Sequence, residues 1–182
     1  MNELFVRIKL YTKGLFFYIF SKIRFGHNAQ IEFLNAIRGK IDLSIGKGST
    51  FKCEKKLRVD GPIYLKAVNG GLLNIGSNCY FNRNCSITAL NKINIGNGCM
   101  FGNNVVVVDH DHIMSYNGAL NEFKISDVNI EDGVWIGANS TILSGAKIGT
   151  GTIIAAGSVV KGECEAHSLY AGVPARFIKK LN

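Results

Sequence analysis

The stretch Ile130-Glu131-Asp132-Gly133-Val134-Trp135-Ile136-Gly137-Ala138-Asn139-Ser140-Thr141-Ile142 continues into Ile148, Ile154 and Val160, so an aliphatic side chain recurs at every sixth residue. Helices repeat near 3.6 residues and half-buried strands near 2, so a period of six requires a chain that turns a corner at fixed intervals. Small residues follow the aliphatics, as in Ile136-Gly137, Ile148-Gly149 and Ile154-Ala155, where the backbone bends without a bulky side chain. The pattern predicts a parallel β-solenoid whose coils bury their aliphatic ladders against one another.

Working outward, counting by sixes from Ile45 gives Phe51, Leu57, Ile63, Asn69, Ile75, Phe81 and Ile87, with Asn69 off pattern in the turn-like Asn69-Gly70-Gly71. The register then slips by two and resumes as Ile95, Phe101 and Val107. The expected organisation is an amphipathic helical segment over 1–40, a solenoid over 41–165 interrupted by a loop at 109–126, and a basic tail over 166–182.

Composition agrees with one soluble domain. The 182 residues include 21 Gly and only 2 Pro, which suits many tight corners and argues against a disordered linker. The five cysteines form no CxxC and follow no secretory signal, so small buried thiols in a reduced, cytoplasmic setting are expected. The net charge of +8 comes with no basic recognition helix and no zinc-finger spacing, which argues against a nucleic-acid partner. Much of the excess lies in Arg7, Lys9, Lys13, Lys22 and Arg24, and in Arg176, Lys179 and Lys180. From Glu3 to Phe25, Leu4, Phe5, Ile8, Tyr11, Leu15, Phe16, Ile19, Phe20 and Ile23 follow helical spacing among those cations. The segment is too interrupted by charge to span a bilayer. It either packs on the solenoid or a neighbouring subunit, or lies on an anionic membrane surface as a peripheral contact.

The longest interruption of the ladder lies between Val107 and Ile130 and opens with Asp109-His110-Asp111-His112. Histidine is the side chain suited to proton transfer near neutrality, and long loops in repeat proteins carry function. In an extended strand residues 110 and 112 share a face, while Asp109 and Asp111 point away from His110.

The hexads, this loop, Val134-Trp135-Ile136-Gly137 and Gly172-Val173-Pro174-Ala175-Arg176-Phe177-Ile178-Lys179 together resemble the hexapeptide-repeat O-acetyltransferases that act on maltose, galactosides, streptogramins and surface-polysaccharide sugars. The resemblance implies an all-β, left-handed parallel β-helix, a homotrimer with sites between subunits, and acetyl-CoA as donor to a sugar hydroxyl, with no metal. It further implies His110 as general base, with His112 as second choice. Asn82 and Asn84 match acceptor-contacting positions, although Asn also caps solenoid corners. Trp135, Ala138 and Ala156 match cofactor-lining positions, and Lys161, Arg176 and Lys179 suit the phosphates of coenzyme A. Two competing functions share the scaffold: an N-acetyltransferase acting on an amino sugar nucleotide, and a zinc enzyme of the γ-carbonic-anhydrase type. The latter needs a third histidine, for which His27 and His167 are poorly placed.

Overall fold

A computed structural model describes residues 3–182. Helix α1 (Glu3–Phe25) precedes a parallel solenoid whose strands fall into three sheets, visited in turn by each coil. The first sheet starts at Ala29–Ile31, the second at Ala36–Ile37 and the third at Ile41–Ile45. The solenoid therefore begins at Ala29, well before the expected residue 41. About six turns stack in this way, and the fold is a left-handed parallel β-helix.

Alternation within these short strands points apolar side chains inward. Ladders of directly paired residues form the core: Phe81, Phe101, Ile136 and Ile154 in the second sheet, and Leu65, Ile87, Val107 and Ile142 in the third. The Phe81 and Phe101 rings stack with centroids 4.3 Å apart. Each of these residues is almost completely withdrawn from water, and burial of such side chains drives assembly at about 1.5–3 kcal/mol apiece.

The upper coils keep the expected six-residue rhythm, while the lower coils depart from it. Paired positions advance from Ile130 to Ile148 in the upper part, but from Cys53 to Ile75 lower down. The extra length lies mostly in the third sheet, whose lower strands have five residues (Ile63–Ala67, Cys85–Ala89) where an upper one has two (Thr141–Ile142). Phe51 and Ile63 are buried ladder residues as expected, paired with Leu73 and Cys85, and their lengthened strands add a second inward residue two positions on, Cys53 and Leu65. In the second sheet Val59 takes the ladder position in place of the buried Leu57. Asn69 adopts φ 55° in an exposed corner, a conformation that Asn tolerates. The slip after Ile87 is real, because Ala89 extends its strand before Ile93 and Ile95 enter the next.

Helix α1 lies across the open lower end of the solenoid and packs on its first three strands. Its contact stripe runs through Gly14 and Ser21, both buried, with Phe17, Tyr18 and Phe25 partly buried beside them. The apolar set that defines its amphipathic pattern, from Leu4 to Ile23, is exposed instead. Packing on the solenoid thus uses a narrow stripe of small residues and leaves the broad apolar face outward.

Candidate active site

The interruption after the fourth coil is a β-hairpin formed by His110–Ser115 and Gly118–Ile125, which leaves the prism at the edge between the third and first sheets. Asp109 anchors its base. The side chain is fully buried, and its carboxylate accepts backbone N–H bonds from Leu90 (2.9 Å) and Asn91 (2.7 Å). The Asp109 carbonyl accepts from the Ser126 amide at 2.9 Å and from Ser144 Oγ at 2.9 Å, which closes the hairpin neck. Asp109 continues the inward alternation of Val105 and Val107, and the chain swings outward only after it.

The expectation that no carboxylate orients His110 is therefore corrected: Asp109 Oδ1 lies 3.1 Å from His110 Nδ1. Both carboxylate oxygens already act as acceptors, so the imidazole supplies the proton of this bond. Nε2 of a neutral His110 then carries the lone pair. The ring is held edge-on against Phe123, with centroids 5.5 Å apart. His112 shares that face, with its ring 4.6 Å from Phe123 and Nδ1 bonded to the Leu120 carbonyl at 2.8 Å. It is exposed, and its partner is a neutral carbonyl rather than a carboxylate.

A second region lies on the outer surface of the second sheet. Tyr80, Met100 and Trp135 stand in consecutive rungs and, with Asn82, Gly102, Asn103 and Ala138, line a groove of about 440 Å³. Trp135 is half exposed there, available to a ligand's apolar arm. Ala138 lies against Gly102, and Ala156 lies against Gly137; a Cβ at either glycine would fall 2.5 Å from the neighbouring backbone nitrogen. Successive backbones at this edge therefore approach closely and present a smooth, small-residue track. Asn82 Oδ1 accepts the Arg83 amide at 2.9 Å, which leaves its Nδ2 donor for a ligand. Asn84 occupies the left-handed corner position (φ 61°), as Asn104 and Asn139 do in the coils above, so its conformation is that of a turn residue.

The residues singled out in the sequence thus fall into separate groups within one chain. Asn82, Trp135 and Ala138 share the groove, with Ala156 one rung above. His110 and His112 stand on the hairpin at a different edge, and Lys161 follows the third sheet at that same edge. Arg176 and Lys179 lie on the final antiparallel strand, Ala175–Lys180, which caps the second sheet. Lys180 is paired with Glu165 at 2.8 Å. His27 lies below the first coil and His167 forms a corner of the last (φ 51°), both rungs away from the hairpin. Among the described residues, a three-histidine centre is therefore not assembled at the level of His110. Sequence reasoning missed Asp109 because period-two alternation assigns it to the opposite face.

A left-handed β-helix bearing a histidine hairpin and a small-residue groove defines a hexapeptide-type transferase scaffold. Residues 127–162 match the family described as "Bacterial transferase hexapeptide (six repeats)". Over 151 residues the chain is 32% identical to "Putative lipopolysaccharide biosynthesis O-acetyl transferase WbbJ" of Escherichia coli (strain K12), a match covering 78% of this chain and 74% of that protein. Its structure resembles the hexapeptide-repeat acetyltransferase VCA0836 of Vibrio cholerae O1 biovar eltor in complex with acetyl coenzyme A (TM-score 0.61, 22% identity, 97% of this chain and 87% of that one). It also resembles the polysialic acid O-acetyltransferase OatWY (TM-score 0.65, 22% identity, 85% and 82% covered). The chain belongs to the hexapeptide-repeat acetyltransferases.

Proposed function

We propose that this enzyme transfers an acetyl group from acetyl-CoA to a sugar hydroxyl of a surface polysaccharide or its precursor, with His110 as general base. The observation that carries the assignment is the buried Asp109 carboxylate bonded to His110 Nδ1. Nε2 takes the proton of the acceptor hydroxyl as its oxygen attacks the thioester carbonyl. Asp109 stabilises the imidazolium that forms. Collapse of the tetrahedral adduct breaks the C–S bond, and the imidazolium returns its proton to the departing sulfur. Such proton transfer contributes roughly 10²–10⁴-fold to rate.

His110 and the groove occupy different edges of one prism, so the complete site is the junction of two subunits in a homotrimer. One subunit's hairpin faces the second-sheet groove of its neighbour. Asn82 then donates to the acceptor, Trp135 flanks the pantetheine arm, and Ala138 and Ala156 lie along it. Asn84 holds the corner below. Lys161, Arg176 and Lys179 meet the coenzyme phosphates. The enzyme works in the cytoplasm, with α1 resting on the inner face of the cell membrane.

Thiol release from acetyl-CoA, measured against a panel of sugars, amino sugars and nucleotide sugars, tests the assignment together with the solution mass. Hydroxyl-dependent release by a trimer, lost in His110→Ala, is expected. Release with amino sugars alone would turn the assignment to N-acetylation, and a monomer with full activity would overturn the shared site.

A further inference from the structure

The lower end of the prism holds a second groove, of about 480 Å³, between α1 and the first coil. Phe5, Val6 and Leu10 supply apolar walls, while Lys9, Lys13 and Arg38 bring three cations. Lys13 Nζ is steadied by a bond to the Arg38 carbonyl at 2.9 Å, and no carboxylate pairs with Lys9 or Lys13 among the described residues. Arg38 is held 3.5 Å from Asp60, whose other oxygen accepts from Tyr80 at 2.9 Å. Tyr80 lines the transfer groove above.

Arg38, Asp60 and Asn82 occupy successive rungs of one edge, joined by the bonds Arg38 N to Val59 O and Asp60 N to Phe81 O. Two rung spacings separate Arg38 from Asn82, about 10 Å. The same end of the molecule carries the exposed face of α1, where Phe16, Phe20 and Ile23 are 68%, 62% and 79% accessible. An apolar slot with cations beside it matches an amphiphile: phosphate oxygens at the cations and hydrocarbon along the slot. A water-soluble nucleotide sugar has no hydrocarbon to fill those walls.

We infer that the acceptor glycan is presented on a membrane lipid through a phosphate linkage. Lys9, Lys13 and Arg38 hold the phosphate, Phe5, Val6 and Leu10 contact the adjoining hydrocarbon, and the sugar extends up the edge to Asn82. This substrate class rests on the acetyl-transfer function proposed above.

Vesicle co-sedimentation of the full chain without acetyl-CoA tests it separately from transfer. The vesicles are phosphatidylcholine alone, or phosphatidylcholine with an equal molar fraction of either phosphatidylglycerol or a polyprenyl phosphate. Binding strongest to the polyprenyl phosphate is expected, falling about tenfold or more in Lys9→Glu/Lys13→Glu. Phe5→Glu, a change on the exposed helix surface, weakens it by the apolar route. Lys52→Glu/Lys55→Glu alters net charge equally on the solenoid and leaves binding unchanged. Equal binding to phosphatidylglycerol, equal loss in the Lys52/Lys55 variant, or full competition by inorganic phosphate would each overturn the lipid-phosphate site. Failure of the transferase assignment would appear differently, as intact vesicle binding with no thiol release on any glycan.

Discussion

Asp109 Oδ1 and His110 Nδ1 are 3.1 Å apart although the residues are adjacent in the chain, because the backbone leaves the core between them. Asp109→Asn keeps the shape but presents an amide where the Leu90 and Asn91 N–H groups need acceptors. A loss of about 1–3 kcal/mol in stability is expected, read from denaturant midpoints. The catalytic effect is separate: kcat falls roughly 10–100-fold while KM for both substrates holds, since the imidazole loses its anionic partner without leaving the site. A change in KM alone would mean that Asp109 merely shapes the hairpin.

His110→Ala is expected to lower kcat by roughly 10²–10⁴-fold with an unchanged fold. His112→Ala, which removes an exposed ring bonded to the Leu120 carbonyl, leaves most activity. Steady-state thiol release from the two variants reads the difference; the reverse ranking would transfer the base to His112.

Gly14 is where the helix meets the first coil, and a Cβ there would lie 1.8 Å from the Asn35 carbonyl oxygen. Gly→Ala within a helix normally gains about 1 kcal/mol in propensity. Here the overlap is with backbone, which cannot rotate away, and overpacking costs about 1–3 kcal/mol. Gly14→Ala is therefore destabilising, and the helix should become the first site of limited proteolysis. An increase in thermal midpoint would show that α1 is not seated as described.

All five cysteines are buried, which bears out their expected placement inside the repeats. Burial, aided by Glu54 and Glu32, pushes the Cys53 thiol from 9.0 up to about 12, and burial pushes Cys85 up to about 11. The folded protein holds these protons more tightly than the unfolded chain does. Their contribution to stability is complete below pH 9 and declines as pH rises toward 11–12, by about 1.4 kcal/mol per pH unit for each thiol. Urea midpoints at pH 8 and pH 10 measure the decline. A disulfide-exchange reagent should modify none of the thiols in the native protein and all five after unfolding.

Much of this molecule was legible in one dimension. The hexads from Ile130 to Val160 predicted the coil, because a buried ladder on a regularly turning chain repeats in the sequence itself. His110, His112, Asn82, Trp135 and Ala138 stood out by residue type and resemblance, and the last three do share a groove. In the lower coils the count of six met Phe51, Ile63, Ile75, Phe81 and Ile87 but fell beside the ladder at Leu57 and on a corner at Asn69, since lengthening a strand by a few residues shifts the count.

The sequence by itself determined the period, the corners and the residue types available for chemistry. Tertiary structure alone decided that the His110 ring folds back to the carboxylate of Asp109, that α1 seats through Gly14 while exposing its apolar face, and that hairpin and groove occupy different edges. The physical reason is the same in each case. Periodicity records which side of a regular element a residue takes, whereas departures from regularity are fixed by distant partners: the amides of Leu90 and Asn91, the carbonyl of Asn35, and the stacking of one coil on the next.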